Sequence, residues 1–426
     1  MKIEDICTRI CSGGTPKSGK AEYYENGTIP WLNTKEINFN RIQTTETFIT
    51  EEGLNNSSAK WIKPHAVIVA MYGATAGRVA VAETPLTTNQ ACCNLEVDET
   101  IADYRYIYYW LKQNFDNIAG LANGGAQQNL SAKVIRQIEI NLPDLIKQRS
   151  IANFLDSFDS KIEANAKLNG YLEEWGQGLL EKYQESCATT IPLSNVMDFG
   201  NGYAFKSGAY TQDGLYKVLT IKNVQDGSVD CSMSNRIDEL PPKMKPFCKL
   251  QPGDVVLSLT GNVGRVGIVP EENCLLNQRV AVLQPYNYAL LPGLYFHFRQ
   301  KAFQNKMIGI AKGTAQANLS PVETLKLEMP YNESFFEISQ KLKPAFDLIL
   351  ANTIESKRLA VLRDALLPKL MSGEIDVSKI DLTQPNSHLP KRWCVLLQIQ
   401  GCPTYLPQLQ QLSRKHVLET WKFGTS

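Results

Sequence analysis

Two stretches of the chain place apolar residues at alternating steps of four and three. This 3.5-residue period is typical of helices that pack as a coiled coil. Asn165 and Asn352 fall at the same step of the two patterns, and a buried Asn at such a position fixes register. The sequence therefore predicts two long helices packed on each other, with two independent amphipathic helices as the alternative. The two seams are Ile151, Leu155, Phe158, Ile162, Asn165, Asn169, Leu172, Gly176 and Leu179, and then Ile338, Leu342, Ala345, Ile349, Asn352, Ser356, Leu359, Arg363 and Leu366.

Capping and breaking residues set the limits of these helices. Asp144, directly after Pro143, can cap the first helix, which we place at residues 144–186. Residues 334–337 have the spacing of a capping box in the second helix, placed at 332–373. Pro344 then either kinks the second helix or marks its first turn.

A long internal repeat surrounds the helices. The segments VIVAMYGATAGRVAV (67–81) and VVLSLTGNVGRVGIV (255–269) match, at an offset of about 188 residues. The segments at 29–37, 88–91 and 124–131 match those at 216–224, 276–279 and 313–320 in the same order. The sequence predicts two similar domains, 1–143 and 187–331, each followed by a helix. Residues 374–426 are predicted to form a divergent, poorly ordered tail.

Each domain is predicted to mix short strands with one or two helices, an α+β arrangement. Residues 29–33 have a strand pattern, and 61–78 have the pattern of a strand, a glycine-containing turn and a strand. Residues 104–114 place tyrosines at helical spacing, which favours a core-facing helix. Residues 133–143 are expected to form a closing strand. The glycines of GNVGRVG (261–267) fit a hairpin turn better than a phosphate loop, because no helix opens after them.

Composition narrows the class of protein. The 426 residues carry 44 Lys and Arg against 43 Asp and Glu, a net charge of +1, so any nucleic-acid surface must be a local patch. No apolar run is long enough for a membrane span, and the N-terminus lacks a signal-peptide core. Ten cysteines without CxxC pairs indicate reduced thiols, a cytoplasmic location and no metal site.

The motifs of common enzymes are missing from the sequence. We find no GxGxxG after a strand, no GxxxxGK[ST], no HExxH and no GxSxG. An Asn/Asp-Pro-Pro-aromatic segment, which an amino-methyltransferase needs to hold a flipped base, is also absent. The chain is therefore expected to be non-catalytic.

What remains is chemistry suited to DNA. Residues 53–82 and 273–322 contain no acidic residue but several Lys and Arg, which suits a phosphate backbone, although ordinary solvated surface is the alternative. Arg, Lys, Asn and Gln in the repeated loops are suited to reading base edges. The matched pair Tyr72 and Thr260 places different side chains on the same frame. The candidate DNA-binding residues are Asn33, Lys35, Tyr72, Arg78, Lys222, Asn223, Thr260, Asn262, Arg265 and Arg279.

Five motifs, in this order and partly duplicated, give the chain a family likeness. Residues 1–376 resemble the specificity subunit of type I restriction-modification systems. The motifs are GGTPKSG (13–19), IPWLNTKEI (29–37), the segment 124–163 that begins GGAQQNLS, LQPGDVVLSLTGNVGRVGIV (250–269) and LLPKLMSGEID (366–376).

The resemblance implies two target-recognition domains, each reading half of a split, asymmetric site in double-stranded DNA. It also implies two antiparallel helices that separate the domains and dock partners. These partners would be two modification subunits, which use S-adenosylmethionine, and restriction subunits, which use ATP and Mg2+. The chain itself would bind no cofactor, while the complex would be an adenine-specific DNA methyltransferase and ATP-dependent endonuclease. The alternatives are a duplicated nuclease or transferase with a site between the repeats, and a structural adapter without DNA contact.

Overall fold

The computed structural model describes residues 1–121, 130–232, 234–311 and 317–377. The chain forms two compact units. Unit 1 comprises Met1–Leu155 together with the chain from Leu366 onward, and unit 2 comprises Asp156–Ala365. The predicted tail beyond residue 377, and most of the matched segments 124–131 and 313–320, lie outside the described residues. The predicted domain limits 1–143 and 187–331 stay predictions.

Unit 1 contains two sheets. The five-stranded sheet has the order β1-β9-β6-β7-β3 and the four-stranded sheet the order β4-β2-β8-β5. The strands are β1 Cys7–Ser12, β2 Ile29–Leu32, β3 Asn40–Ile42, β4 Phe48–Ile49, β5 Trp61–Ile62, β6 Val67–Ala70, β7 Val79–Ala82, β8 Leu86–Thr88 and β9 Cys92–Val97. The helices are α1 Glu51–Asn55, α2 Tyr104–Gln113, α3 Phe115–Gly120 and α4 Ala132–Arg136, followed by the long helix α5 Leu145–Ser186, which continues beyond Leu155 as part of unit 2.

Unit 2 repeats the two sheets and adds a small one. The orders are β11-β19-β16-β17-β13 and β14-β12-β18-β15, with β10 paired to β20. The strands are β10 Thr190–Pro192, β11 Met197–Asn201, β12 Tyr216–Leu219, β13 Gly227–Ser228, β14 Asn235–Ile237, β15 Lys249–Leu250, β16 Val255–Ser258, β17 Val266–Ile268, β18 Cys274–Leu276, β19 Val280–Pro285 and β20 Glu328–Pro330. The helices are α6 Leu291–Arg299, α7 Lys301–Ile310, α8 Pro321–Leu325 and α9 Ser334–Met371.

The two units have the same strand order, position by position. In each unit an antiparallel hairpin, β6–β7 or β16–β17, lies inside the larger sheet, and a parallel pair, β2–β8 or β12–β18, lies inside the smaller one. The hairpin strands are buried on both faces, which explains their continuous apolar sequence. The predicted internal repeat and mixed α+β class are confirmed.

The hairpin turns explain the repeated glycines. Gly73 and Gly77 have φ of 69° and 86°, and Gly261 and Gly264 have φ of 69° and 81°. A residue with a Cβ is disfavoured in this left-handed region. The prediction of a hairpin turn at residues 261–267 is confirmed.

The tyrosine-rich helix lies on the core of unit 1, as predicted. Asp103 caps α2 by accepting hydrogen bonds from the backbone of Arg105 and Tyr106. Tyr106 and Tyr109 on this helix are buried, with 2% and 1% of their surface exposed. Tyr106, Tyr108 and Tyr109 therefore belong to the hydrophobic core.

The two long helices pack antiparallel within unit 2. Asn165 on α5 donates to Glu355 and Ser356 on α9, while Asn169, one turn later on α5, donates to Thr353, one turn earlier on α9. All of the predicted seam positions are buried or half-buried. The predicted pairing is confirmed for this stretch, and Pro344 lies inside α9 and not in its first turn.

The strand predicted at residues 133–143 is wrong. Residues 132–136 form helix α4, because the Ser131 side chain accepts the Val134 N–H at 3.2 Å and so caps a helix. Ile135 is fully buried, and the only β pairing described in this segment is a single bridge between Glu139 and Lys2. The local run of β-branched residues favours a strand, and the cap together with burial of Ile135 overrides it.

Candidate nucleic-acid interface

An arginine at the end of each hairpin turn contacts the loop that follows β2 or β12. Arg78 Nη1 donates to Asn38 Oδ1 at 3.1 Å, and Arg265 Nη1 donates to Gln225 Oε1 at 3.1 Å. Both arginines are half-buried. A guanidinium held by one neutral amide keeps further donors for a base edge or a phosphate. In each unit, the fold thus brings together the two loops in which the sequence placed candidate residues.

The loop after β2 carries Asn33 and Lys35. Asn33 caps a short 3-10 turn by accepting the Lys35 N–H at 3.3 Å, and its own N–H donates to Glu36. The Lys35 side chain is exposed and pairs with Glu46 at 2.6 Å. The hydrogen bond to the Glu46 carboxylate raises the pKa of Lys35. Lys35 therefore keeps its charge on an open surface, while Asn33 shapes the loop.

The two candidate residues in the loop after β12, Lys222 and Asn223, differ in their exposure. Lys222 is exposed. Asn223 is 4% exposed and makes four hydrogen bonds: Oδ1 accepts from the N–H and the hydroxyl of Thr220, and Nδ2 donates to Asp230 and Ser234. An Asn side chain has no further capacity. Asn223 consequently holds the loop in shape, and Lys222 is the accessible member of the pair.

The tips of the two hairpin turns differ between the units. Tyr72 is exposed in unit 1, and Asn262 is exposed in unit 2. The Thr260 hydroxyl is buried and lacks a hydrogen-bond partner in the part of the chain that the structure describes. Thr260 also lines a hollow of about 370 Å³. The hollow is lined by Leu259, Thr260, Gln278, Arg279 and Asn318.

Gln278 was missed by the sequence-based selection of candidates. It is exposed beside Arg279, and Gln90 is exposed at the matching turn of unit 1. Glutamine can pair with two atoms of an adenine edge. The repeated segments TNQA and LNQR carried this signal, since both place Gln one residue after Asn.

The acid-free stretches are only partly available to a ligand. Lys60, Lys63, Lys301 and Lys306 are exposed. Arg299 has only 12% of its side chain exposed and is ion-paired with two carboxylates of unit 2. The charge of Arg299, which lies in the second acid-free stretch, is therefore used within the fold and not offered to a ligand.

One cluster within the described ranges has the spacing of metal ligands. The Sγ atoms of Cys231 and Cys274 lie 3.8 Å apart, next to Glu271. However, the Glu271 carboxylate already pairs with Lys217 at 2.7 Å and with Lys357. These ammonium groups lower the pKa of Glu271 to about 2, against the opposing effect of burial. Two cations thus hold the carboxylate that a metal ion would need.

Comparison with known proteins identifies the family. The profile of the type I restriction modification DNA specificity domain matches residues 1–174 and again 188–362. The chain belongs to the type I restriction-modification specificity family. The two matches correspond to the two sequence repeats.

Relatives match over most of the chain. The MjaIX specificity subunit of Methanocaldococcus jannaschii is 26% identical over 89% of this chain and 94% of its own length. The EcoBI specificity subunit of Escherichia coli is 21% identical over 87% and 85%. The crystal structure of an S subunit from M. genitalium has a TM-score of 0.51 at 20% identity, covering 87% of this chain and 95% of that one. The chain is a type I specificity subunit, and the duplicated-enzyme alternative is not favoured.

Among the helices that the structure describes, none is both long and apolar enough to cross a bilayer.

Proposed function

We propose that this specificity subunit reads a split, asymmetric site in double-stranded DNA, one half with each unit. One observation carries the proposal: the two units share a strand order and the Arg78/Arg265 pair, but differ in the side chains around it. Arg78 is held by Asn38 and Arg265 by Gln225, and Tyr72 in one turn is replaced by Thr260 in the other. Two units with the same backbone arrangement but different side chains around the arginine are suited to recognise two different half-sites.

The candidate DNA-contacting residues fall into two groups, those suited to base edges and those suited to phosphates. Arg78 and Arg265 suit a guanine edge, which a guanidinium can contact with two parallel hydrogen bonds. Asn262, Gln278 and Arg279 present further donors and acceptors from the unit 2 turns. The exposed lysines, Lys35 and Lys222 among them, suit phosphates, where they position the protein without reading sequence.

The long helix α5 offers a surface for the partner subunits. Leu168, Tyr171 and Trp175 are 40%, 55% and 53% exposed and follow one another at steps of three and four. Exposed aromatic groups of this kind are typical anchors of protein interfaces. The modification subunits, two per chain, would dock on these helices, and the restriction subunits would join them.

The chemistry would belong to the partners. The modification subunits would methylate adenine with S-adenosylmethionine, and the restriction subunits would cleave DNA with ATP and Mg2+. The chain would hold none of these cofactors itself and would act in the cytoplasm, where it meets its DNA.

Co-expression with the modification subunits, followed by single-molecule methylation sequencing of the host DNA, tests the proposal. A split motif with two unlike halves and a fixed spacer is the expected result. A stable complex that methylates no defined motif, or binding to duplex DNA that salt does not weaken, would contradict it.

A further inference from the structure

A buried arginine connects the long helix α5 to the loop that holds Arg265. The Arg299 guanidinium, on α6, pairs with Glu173 on α5 and with Asp226 in the loop after β12. The side chains of Arg299 and Glu173 are only 12% and 19% exposed. The Tyr295 hydroxyl also donates to Glu173. Glu173 lies two residues from Tyr171 and two from Trp175 along α5, so its side chain leaves the helix on the face opposite the proposed docking surface.

The loop end of this connection adjoins the DNA-facing contact. Asp226 follows Gln225, the residue whose side-chain oxygen accepts from Arg265. Gln304 donates to Asp226 at 3.0 Å, so helices α6 and α7 both hold that carboxylate. Gly227 has φ of 91°, and a Cβ there would lie 2.9 Å from Arg299 Nη2. The guanidinium therefore packs directly on the backbone of the loop.

The electrostatics make this connection stiff. Burial alone would lower the pKa of Arg299. The neighbouring acidic and phenolic groups raise the pKa by more than burial lowers it, so the net shift is upward and the group stays charged. A charge held out of water is tolerated only while its partners remain in place. Displacement of Glu173 therefore costs free energy unless Arg299, and Asp226 with it, moves as well.

The matched positions of unit 1 carry other residues. The repeat matches Arg299 with Lys112 and Asp226 with Phe39. The Lys112 ammonium lies 6.0 Å from the centre of the Phe39 ring, and Phe39 packs edge-on against Phe115 at 5.3 Å. A contact of this type depends much less on the placement of a carboxylate on a long helix.

We infer that Arg299 is a positioning residue that transmits the placement of α5 to the loop that orients Arg265, and so sets the fidelity of the unit 2 half-site alone. The inference rests on the proposed function and adds a direction of coupling to it. A partner subunit bound to α5 would increase or decrease the sequence discrimination at one half-site without contacting the DNA at that half-site. Arg299 contacts neither partner nor DNA in this scheme.

Glu173→Gln is the sharpest test, because it weakens the connection on the helix side and leaves the loop sequence intact. In complexes co-expressed with the modification subunits, discrimination should fall roughly tenfold at one position of the unit 2 half-site, with the unit 1 half-site unchanged. Arg299→Lys should behave similarly, since the compact ammonium lacks the planar fork of donors with which the guanidinium faces both carboxylates. If both half-sites loosen equally, or if neither changes, the inference is overturned.

Asp159→Asn is the matched control. It breaks another buried ion pair, which joins Asp159 on α5 to Arg363 on α9; each of these two side chains is 12% exposed. This variant should lose stability to a similar degree but keep both half-sites. The same relaxation in Asp159→Asn would mean that general loosening of the helices, and not Arg299, sets fidelity.

Amide hydrogen exchange on the full-length chain separates this inference from the proposed function. Glu173→Gln should speed exchange at residues 222–228 several-fold and leave residues 34–38 unchanged. Unchanged exchange at 222–228 would overturn the coupling even if the wild-type complex methylates a split motif. Faster exchange together with a wild-type chain that yields no motif would instead contradict the proposed function.

Discussion

Asn352 donates its side-chain amide to the side-chain oxygen of Asn169 at 2.8 Å, joining the two long helices of unit 2. Asn165, one turn away on α5, donates to Glu355 at 2.7 Å. Asn165 and Asn352 are 2% and 6% exposed. Buried amides that hydrogen-bond to the opposite helix disfavour any other register, because a shift of one turn would remove these partners.

Replacement of Asn352 by Ala should destabilise the chain by about 1–3 kcal/mol, since the half-buried Asn169 loses the donor to its side-chain oxygen. Urea denaturation of the full-length chain measures this change in the free energy of unfolding. Asn305→Ala, at an exposed position of α7, serves as the control and should change stability by less than about 0.5 kcal/mol. Equal effects of the two substitutions would show that the interhelical hydrogen bonds contribute nothing.

Arg78→Ala and Arg265→Ala should act on different halves of the recognised site. If each guanidinium reads one base, each variant relaxes one position of its own half-site, at about 1–3 kcal/mol. Methylation sequencing of the two variants side by side makes each the control for the other. Uniform weakening across all positions would assign the arginines to phosphates, and loss of thermal stability without relaxed specificity would assign them to structure.

The double substitution Tyr171→Ala and Trp175→Ala should weaken docking of the modification subunits while leaving the fold intact. Both side chains are more than half exposed, so little core packing is lost, whereas truncated aromatic anchors cost about 2 kcal/mol or more at an interface. Co-purification and titration of the complex measure the effect. Leu215→Ala, which removes an exposed apolar group that is not part of either long helix, is the control. Wild-type affinity of the double variant would contradict docking at this surface.

His297 should make the fold sensitive to mild acid. Burial lowers the pKa of this imidazole to about 4, from an ordinary value of 6.5, and its Nδ1 lies 3.2 Å from the Gln184 amide nitrogen. Between these two pKa values, His297 therefore binds a proton in the unfolded chain but not in the folded chain. Stability is complete above pH 6.5 and falls as the pH drops towards 4, with a loss of roughly 2 kcal/mol at pH 5.

Urea denaturation at pH 7 and pH 5 tests this pH dependence. His297→Phe should flatten the difference between the two pH values, although it lowers stability at both because Gln184 loses an acceptor. His65→Asn, at an exposed position with φ of 71° that Asn tolerates, should keep the wild-type difference. An unchanged slope in His297→Phe would exclude this residue as the acid-sensitive group.

The sequence anticipated the elements whose signals are local and repeated. The seam positions, the glycine turns and the tyrosine helix were correctly placed, because period and backbone conformation are written in neighbouring residues. The prediction of a closing strand at 133–143 was wrong because the local pattern did not decide the structure there. Its β-branched residues favour a strand, but the Ser131 cap and the burial of Ile135 decide for a helix.

Candidate residues divide in the same way. The sequence could select residue types suited to DNA, and it placed Arg78 and Arg265 at equivalent positions of the two repeats. It could not distinguish exposed Lys222 from its neighbour Asn223, whose amide is fully used inside the loop. Nor could it show that Arg299 in an acid-free run is neutralised by Glu173, 126 residues earlier in the chain.

By itself, the sequence determined that the protein is a duplication built around two long helices, because a repeat and a 3.5-residue period are properties of residue order alone. Only the tertiary structure decided which polar groups are hydrogen-bonded or ion-paired inside the protein and which remain accessible to a ligand. Hydrogen bonds and ion pairs join residues far apart in the chain, and burial turns each such pair into a structural requirement. Availability for DNA is therefore settled by three-dimensional neighbours and not by residue type.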